Sequence, residues 1–491
     1  MLLYLIIVTL ILLYYISTRK YNYFKNKKVP HLKPTFLLGN YGDVILQKKS
    51  LAEVVQDICK QFPDEPFIGA YYGTEPILIP IDPEIIKLIM TKDFHYFHGR
   101  ELSEHNHKEP ASLNLFATYG DSWKVLRQNM TPLFSSAKMK NMFHLIQSCS
   151  YTYESMLDKE IAISKELEVR TLTAKYTIEC IAACAFGIDA NTMTDDPETN
   201  AFAKLASSFT KSPKILFYVR LLRTLWPSIY YALGLRILSK QINFFQNLIT
   251  SVMERRDYKS SGRNDFVDLV LSWKLNNQIV GDSIKSIKTG EVHKVTLTAD
   301  DDLLVAQCFV FFVAGFETSS TTLSYTIYEL AKHPEIQNRV LEEVDNYLNQ
   351  HNNKLLYECN TSLPYLEAVI DETLRLYPVV GLNIREQMED YTFPNEEFRP
   401  ERFLGEAKKT INPYVYMPFG EGPRACIGMR FAKMQMMAGL ITMLKKYRFE
   451  LADGTPSKLQ FKPESFVTHP VGGIKLKFIE RDGWEKRVFV Q

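Results

Sequence analysis

The chain has almost no net charge, with 58 Lys and Arg against 56 Asp and Glu for a formal +2. No electrostatic partner is implied by that balance, and nucleic-acid binding is excluded as an expectation. Ser/Gly/Pro tracts, low-complexity runs and internal repeats are all missing from the 491 residues, so nothing marks a linker between domains. Cysteine is scarce: residues 59, 149, 180, 184, 308, 359 and 426 form an odd, scattered set with no C-x-x-C pair. That excludes the usual zinc and dithiol patterns and fits a reducing, cytosol-facing body, with Cys180 and Cys184 packing on one helix face. Charge is also absent from Met1 to Ile16, where Thr9 is the one non-tyrosine hydroxyl residue. At helical rise this run reaches roughly 24 Å. Arg19, Lys20, Lys25, Lys27 and Lys28 follow at once, and Tyr14, Tyr15, Tyr21 and Tyr23 supply interfacial aromatics. Positive charge after the apolar run, with no small-residue cleavage site, reads as an uncleaved anchor with a cytoplasmic C-terminal side. Pro30 and Pro34 then stiffen the exit into the body.

Residues 66–80 predict two strands about a Gly73-Thr74 turn, and the pattern beyond them is mostly helical to about residue 378. The clearest element is a helix with Thr298 as N-cap, acidic residues 300–302 in its first turn and an end at His333-Pro334. Its middle, Val305 to Phe316, is apolar all round, which predicts a helix running through the core. Inside it sits Ala314-Gly315-Phe316-Glu317-Thr318. A helical Gly costs roughly 1 kcal/mol and a buried carboxylate more, so something besides packing is expected to require them. The plain alternative is a core helix whose Thr318 hydroxyl bonds back to a carbonyl.

Near the C-terminus the chain reads Phe419-Gly420-Glu421-Gly422-Pro423-Arg424-Ala425-Cys426-Ile427-Gly428, followed by a helix start at Met429. A thiolate at Cys426 would lie against backbone N–H groups and the positive end of the helix dipole, turned toward a metal. Arg424 offers a rigid fork for a carboxylate. This loop resembles the haem-thiolate loop of the cytochrome P450 monooxygenases. The resemblance spans essentially the whole chain. It implies a mainly α fold with small β-sheets and an N-terminal membrane anchor helix: 1–18 the anchor, 19–34 a basic, Pro-containing hinge, 35–491 the catalytic domain.

The same resemblance assigns roles residue by residue. Cys426 is the iron ligand, in a loop shaped by Phe419 and Gly420; Trp123, Arg127 and Arg424 reach the propionates, with Arg385 and Arg100 placed by position. Gly315 lets dioxygen approach on the central helix, and Glu317 with Thr318 relays protons. Glu372 and Arg375, at i and i+3, join Arg402 in a buried structural triad. Substrate is expected against Leu113 to Phe116, Phe311, Ala314 and the Val379-Val380 turn, while the apolar 216–238 region dips into the bilayer. The implied cofactor is haem b, with NADPH acting through a flavoprotein reductase. Cytochrome b5, membrane lipid and a lipophilic small molecule complete the partners. Arg424, Arg430 and Lys433 are expected docking contacts for the reductase. The wording of the two motifs is most similar to the insect microsomal branch that handles plant toxins and insecticides, which places the chain on the endoplasmic reticulum with its body in the cytosol.

The chain departs from that family at one place. Glu389-Asp390-Tyr391-Thr392-Phe393-Pro394 passes directly into Asn395-Glu396-Glu397-Phe398-Arg399-Pro400, without the two strands and loop that relatives carry there. About two dozen residues are expected to be deleted between Pro394 and Asn395. Two other activities therefore stay open: an impaired or inactive isoform, and a haem-thiolate isomerase or dehydratase needing no reductase.

Overall fold

A computed structural model describes residues 1–100, 108–210, 214–263, 265–388 and 413–490. Arg402, Phe398 to Phe403 and the junction at Pro394-Asn395 lie outside the described residues. The chain is mainly helical, with small sheets, all antiparallel.

Helix α1 (Leu2–Thr18) exposes its apolar side chains, Leu3, Tyr4, Ile11 and Tyr15 among them. Residues after it pack down on the body. Phe24 is buried against Gly69, where a Cβ would fall 2.5 Å from the ring, and the Gly69 N–H donates to the Pro30 carbonyl at 2.7 Å. The predicted hairpin forms as β1 (Phe67–Tyr72) and β2 (Glu75–Pro80). It carries a small core of its own, with Ile68 and Ala70 fully buried against Val54, Val55 and Ile58.

The main core wraps α5 (Asp301–Lys332), the predicted central helix. Its start differs from expectation: Thr298 ends strand β5 (Lys294–Thr298), paired to β4 (Gln278–Asp282), and Asp300 caps the helix through Leu303 N–H. The backbone of Thr298 is already committed to the ladder, so the cap falls to the next carboxylate. Helix α4 (Val169–Ile181) packs along α5, α3 (Ser136–Ile163) packs on α4, and α2 (Gly120–Met130) lies against β4. Helix α6 (Pro364–Leu376) and α7 (Met429–Leu444) complete the packing. A third sheet orders β3 (Glu166–Glu168), β7 (Lys475–Glu480) and β6 (Tyr447–Leu451), with β7 in the middle.

Most of α5 is buried, but its middle is partly accessible at Val310, Val313, Ala314, Gly315 and Thr318. Val310, Ala314 and Thr318, spaced four apart, run along this accessible stripe. Helix α7 is tied to the same stretch: Gln435 donates through Nε2 to the Gly315 carbonyl at 2.8 Å and also to Ser319 Oγ.

Candidate functional site

The cysteine loop is built by two left-handed glycines, Gly420 (φ 68°) and Gly422 (φ 73°). Only glycine adopts this geometry at low cost. The Cys426 N–H donates to the Phe419 carbonyl at 2.8 Å and the Gly420 N–H to the Met417 carbonyl at 2.9 Å, closing the turn. Gly428 caps α7, and its backbone N–H faces the Cys426 sulfur closely enough to pull the thiol down. The glycine turn and the helix start expected around Cys426 are both present. The Cys426 side chain is exposed on one side and enclosed by protein on the others. Burial pushes its thiol up from the ordinary value, while the Gly428 N–H and the Arg127 and Arg100 guanidiniums pull it the other way.

Four guanidiniums gather near this loop. Arg424 is pulled down to about 8 and Arg100 to about 9, in each case by burial first and then by the neighbouring guanidiniums. Burial alone draws Arg385 down to about 10 and lowers Arg127 as well. All four stay charged at neutral pH; the lowering reports burial first, with repulsion from neighbouring guanidiniums added at Arg424 and Arg100. Arg385 Nε and Nη2 are buried without a hydrogen-bond partner, its Nη1 reaching the Ile384 carbonyl at 2.9 Å. An electropositive group of this kind suits a ligand bearing carboxylates.

Arg424 proves to be a tie-rod. It donates through Nε to the His98 carbonyl at 2.8 Å, through Nη1 to the Phe116 carbonyl at 3.3 Å and through Nη2 to the Thr118 carbonyl. It also lies over buried Trp123, 4.6 Å from the ring centroid. Being 6% exposed, it is no docking contact for a partner, which corrects that expectation. Lys433 is paired with Glu367 at 2.6 Å, and Arg430 reaches the Phe134 carbonyl at 3.3 Å. Arg127 donates through Nη1 to the Ala425 carbonyl at 2.8 Å, joining α2 to the loop beside the cysteine.

On the central helix the acid and the alcohol go to different partners. Thr318 Oγ1 donates to the Ala314 carbonyl at 2.7 Å, the back-bonded arrangement the sequence also allowed. Glu317 is buried, and its Oε1 accepts from Arg170 Nη2 at 2.6 Å and from His469 Nε2. Burial raises its carboxyl, but His469 and Arg170 outweigh burial and hold it below the ordinary value. Arg170 and His469 carried no local signal in the sequence. Gly315 has a packing reason: a Cβ there would meet Ile181 of α4 at 2.7 Å. That packing requires glycine whatever its part in an approach for dioxygen.

Two further expectations change. Glu372 and Arg375 do pair, through 2.6 and 2.8 Å bonds, but their side chains are 58% and 57% exposed, so the pair is not buried. Both project from the outer face of α6, and Arg402, the third member, lies outside the described residues. Phe311 is core: it stacks between Phe134 at 5.6 Å and Phe266 at 4.6 Å. Exposed aromatic surface is found at Phe116 instead, edge-on to Phe466 at 6.0 Å, with Arg100 3.9 Å over its ring. Phe466 was not singled out from sequence. Ala314 and Val380 are exposed, whereas Val379 is buried and its carbonyl accepts the Thr468 N–H at 3.0 Å.

A glycine-cradled cysteine with an N–H facing its sulfur, beside a cluster of buried guanidiniums, fits a haem: a metal for the thiol and propionates for the cations. The chain belongs to the cytochrome P450 family, whose family model matches it over residues 29–395 and 394–478. It is thus an oxidoreductase of the monooxygenase type, and the family implies a thiolate-ligated haem. Cytochrome P450 6B2 of Helicoverpa armigera is 35% identical over 503 aligned residues, covering 96% of this chain and 97% of that protein. Cytochrome P450 6a8 of Drosophila melanogaster is 33% identical, covering 95% and 96%. Cytochrome P450 6B4 of Papilio glaucus is 35% identical, covering 96% and 97%.

Proposed function

We propose that this chain inserts one oxygen atom from O2 into a lipophilic substrate, a plant toxin, insecticide or endogenous lipid, using electrons from NADPH through a flavoprotein reductase. Cytochrome b5 is a second possible donor. The observation that carries the reading is Cys426, held with an N–H facing its sulfur in a loop built by two left-handed glycines and beside four guanidiniums. Haem b, held by Cys426 and by Arg127, Arg385 and Arg100, would supply the oxygen-activating chemistry. Arg424 and Trp123 brace the loop from behind. Glu317 takes up and hands on the proton that the reaction consumes, and Thr318 on the accessible stripe of α5 passes it on. Phe116, Phe466, Ala314 and Val380 offer an apolar surface for the substrate.

The body sits at the endoplasmic reticulum membrane, facing the cytosol. The exposed apolar face of α1 supports an anchor over 1–18, with 19–34 leading into a catalytic domain over 35–491. Exposed Ile215, Tyr218, Trp226, Ile229 and Leu233 support a second membrane contact. The test is NADPH-dependent turnover of a lipophilic alkoxycoumarin in membranes with reductase added. Product that needs both NADPH and reductase supports the reading. Turnover of a hydroperoxide without either would favour an isomerase or dehydratase.

A second reading concerns the missing strands. The two segments of the family match meet at residues 394–395, where the sequence departs from its relatives, and this supports a deletion between Pro394 and Asn395. Strands lost there would leave ladder groups unpaired near β1 and β2, a two-stranded sheet among the described residues. The chain as written would then fold poorly and hold haem weakly, as an impaired isoform.

A further inference from the structure

We infer that His469 is a positioning residue that sets the ionisation of Glu317 and supplies its proton from the protein surface through Ser465. The inference rests on Glu317 being the proton carrier proposed above, and extends it to a route. Geometry carries it. Glu317 stands in the apolar core of α5 with Oε1 shared between Arg170 Nη2 at 2.6 Å and His469 Nε2. Its other oxygen, Oε2, is buried with no hydrogen-bond partner. A buried carboxylate oxygen without a partner costs a full desolvation penalty. Ion-pair packing alone would satisfy both oxygens; one left unbonded suits a carboxyl that takes up a proton and gives it away.

The outer end is equally specific. His469 Nδ1 lies 3.2 Å from Ser465 Oγ, on a partly exposed turn. Arg170 Nη2 is 2.9 Å from His469 Nε2, so the guanidinium faces both members of the pair. Tyr325 is a further titratable group beside Glu317 and Arg170, and its hydroxyl is committed to the Thr468 carbonyl. With Glu317 ionised, His469 donates from Nε2–H. The step balances as a tautomer shift: Nδ1 gains a proton from the Ser465 side, Nε2 loses its own to Glu317 Oε1, and the imidazole ends neutral. Arg170, always charged and 2.6 Å from Oε1, stabilises the carboxylate that remains when the proton is passed on.

Infrared spectroscopy on the full chain tests the ionisation half without any turnover. The band of a buried protonated carboxyl, assigned by its loss in Glu317→Gln, should appear at a higher pH in His469→Phe than in the wild type when pH is lowered, since Arg170 alone then opposes protonation. The same onset pH in both would overturn the inference. The relay half is read as the hydrogen peroxide share of NADPH consumed in membranes with reductase. His469→Gln keeps an N–H for Glu317 but cannot shuttle a proton, and should raise that share about tenfold. This is below the ~10²-fold scale of a direct general acid, because His469 acts one step away. Ser465→Ala, on the partly exposed turn, is the second variant should His469→Gln fail to fold, and an unchanged share in it overturns the route. Glu317→Gln separates the two claims. Peroxide rising in Glu317→Gln but not in His469→Gln or Ser465→Ala defeats the route alone. No rise in Glu317→Gln defeats the carrier and the route together.

Discussion

Gly422 is pressed against Met90: a Cβ built on the glycine would collide with the Met90 carbonyl oxygen. The cysteine loop is thus seated directly on the backbone that precedes His98, the residue whose carbonyl holds Arg424. Gly422→Ala meets both the clash and a φ of 73°. It should cost on the order of 2–3 kcal/mol and release the haem, measured as a lower melting temperature with loss of Soret absorbance.

Gly315 and Ile181 make a similar contact between α5 and α4. Gly315→Ala should destabilise by about 1–3 kcal/mol through overpacking. Adding Ile181→Ala should recover part of that loss in a denaturant titration, since the two residues touch. Were the glycine needed only for oxygen, stability would not move and the second change would rescue nothing.

The carboxyl of Glu317 is held below the ordinary glutamate value. A group depressed on folding contributes stability that is fully present above its unfolded value of about 4.3 and is lost as pH falls through the lower folded value. Melting temperature followed from pH 6 to pH 3 should therefore drop more steeply in the wild type than in Glu317→Gln. Parallel curves would remove Glu317 from the acid limb.

An exposed pair holds Glu372 and Arg375 together. Exposed ion pairs contribute about 0–1 kcal/mol, so Glu372→Gln should shift the denaturant midpoint very little in this chain. A loss of several kcal/mol would mean that the pair is buried after all, as in the triad expected with Arg402.

The parts of this molecule that were legible in the sequence are those with local signals. The Gly73-Thr74 turn and the apolar run of α5 forecast their elements, and glycine spacing around Cys426 forecast the loop. What stayed hidden depends on distant chain. Arg170 and His469 approach Glu317 across 147 and 152 residues, and nothing near any of the three announces the others. Phe311 looked like a pocket wall because an apolar helix does not say which of its faces is packed; Phe134 and Phe266 decide that. Thr298 was a plausible cap until pairing with Gln278 placed it in a strand.

The central claim is that Cys426 is the thiolate ligand of a haem, and the carbon monoxide difference spectrum of the dithionite-reduced protein in membranes tests it most directly. The chain as written should give a weak thiolate-type Soret band, a version with the missing strands restored a full one, and Cys426→Ala none in either background. A thiolate-type band that survives Cys426→Ala would contradict the account.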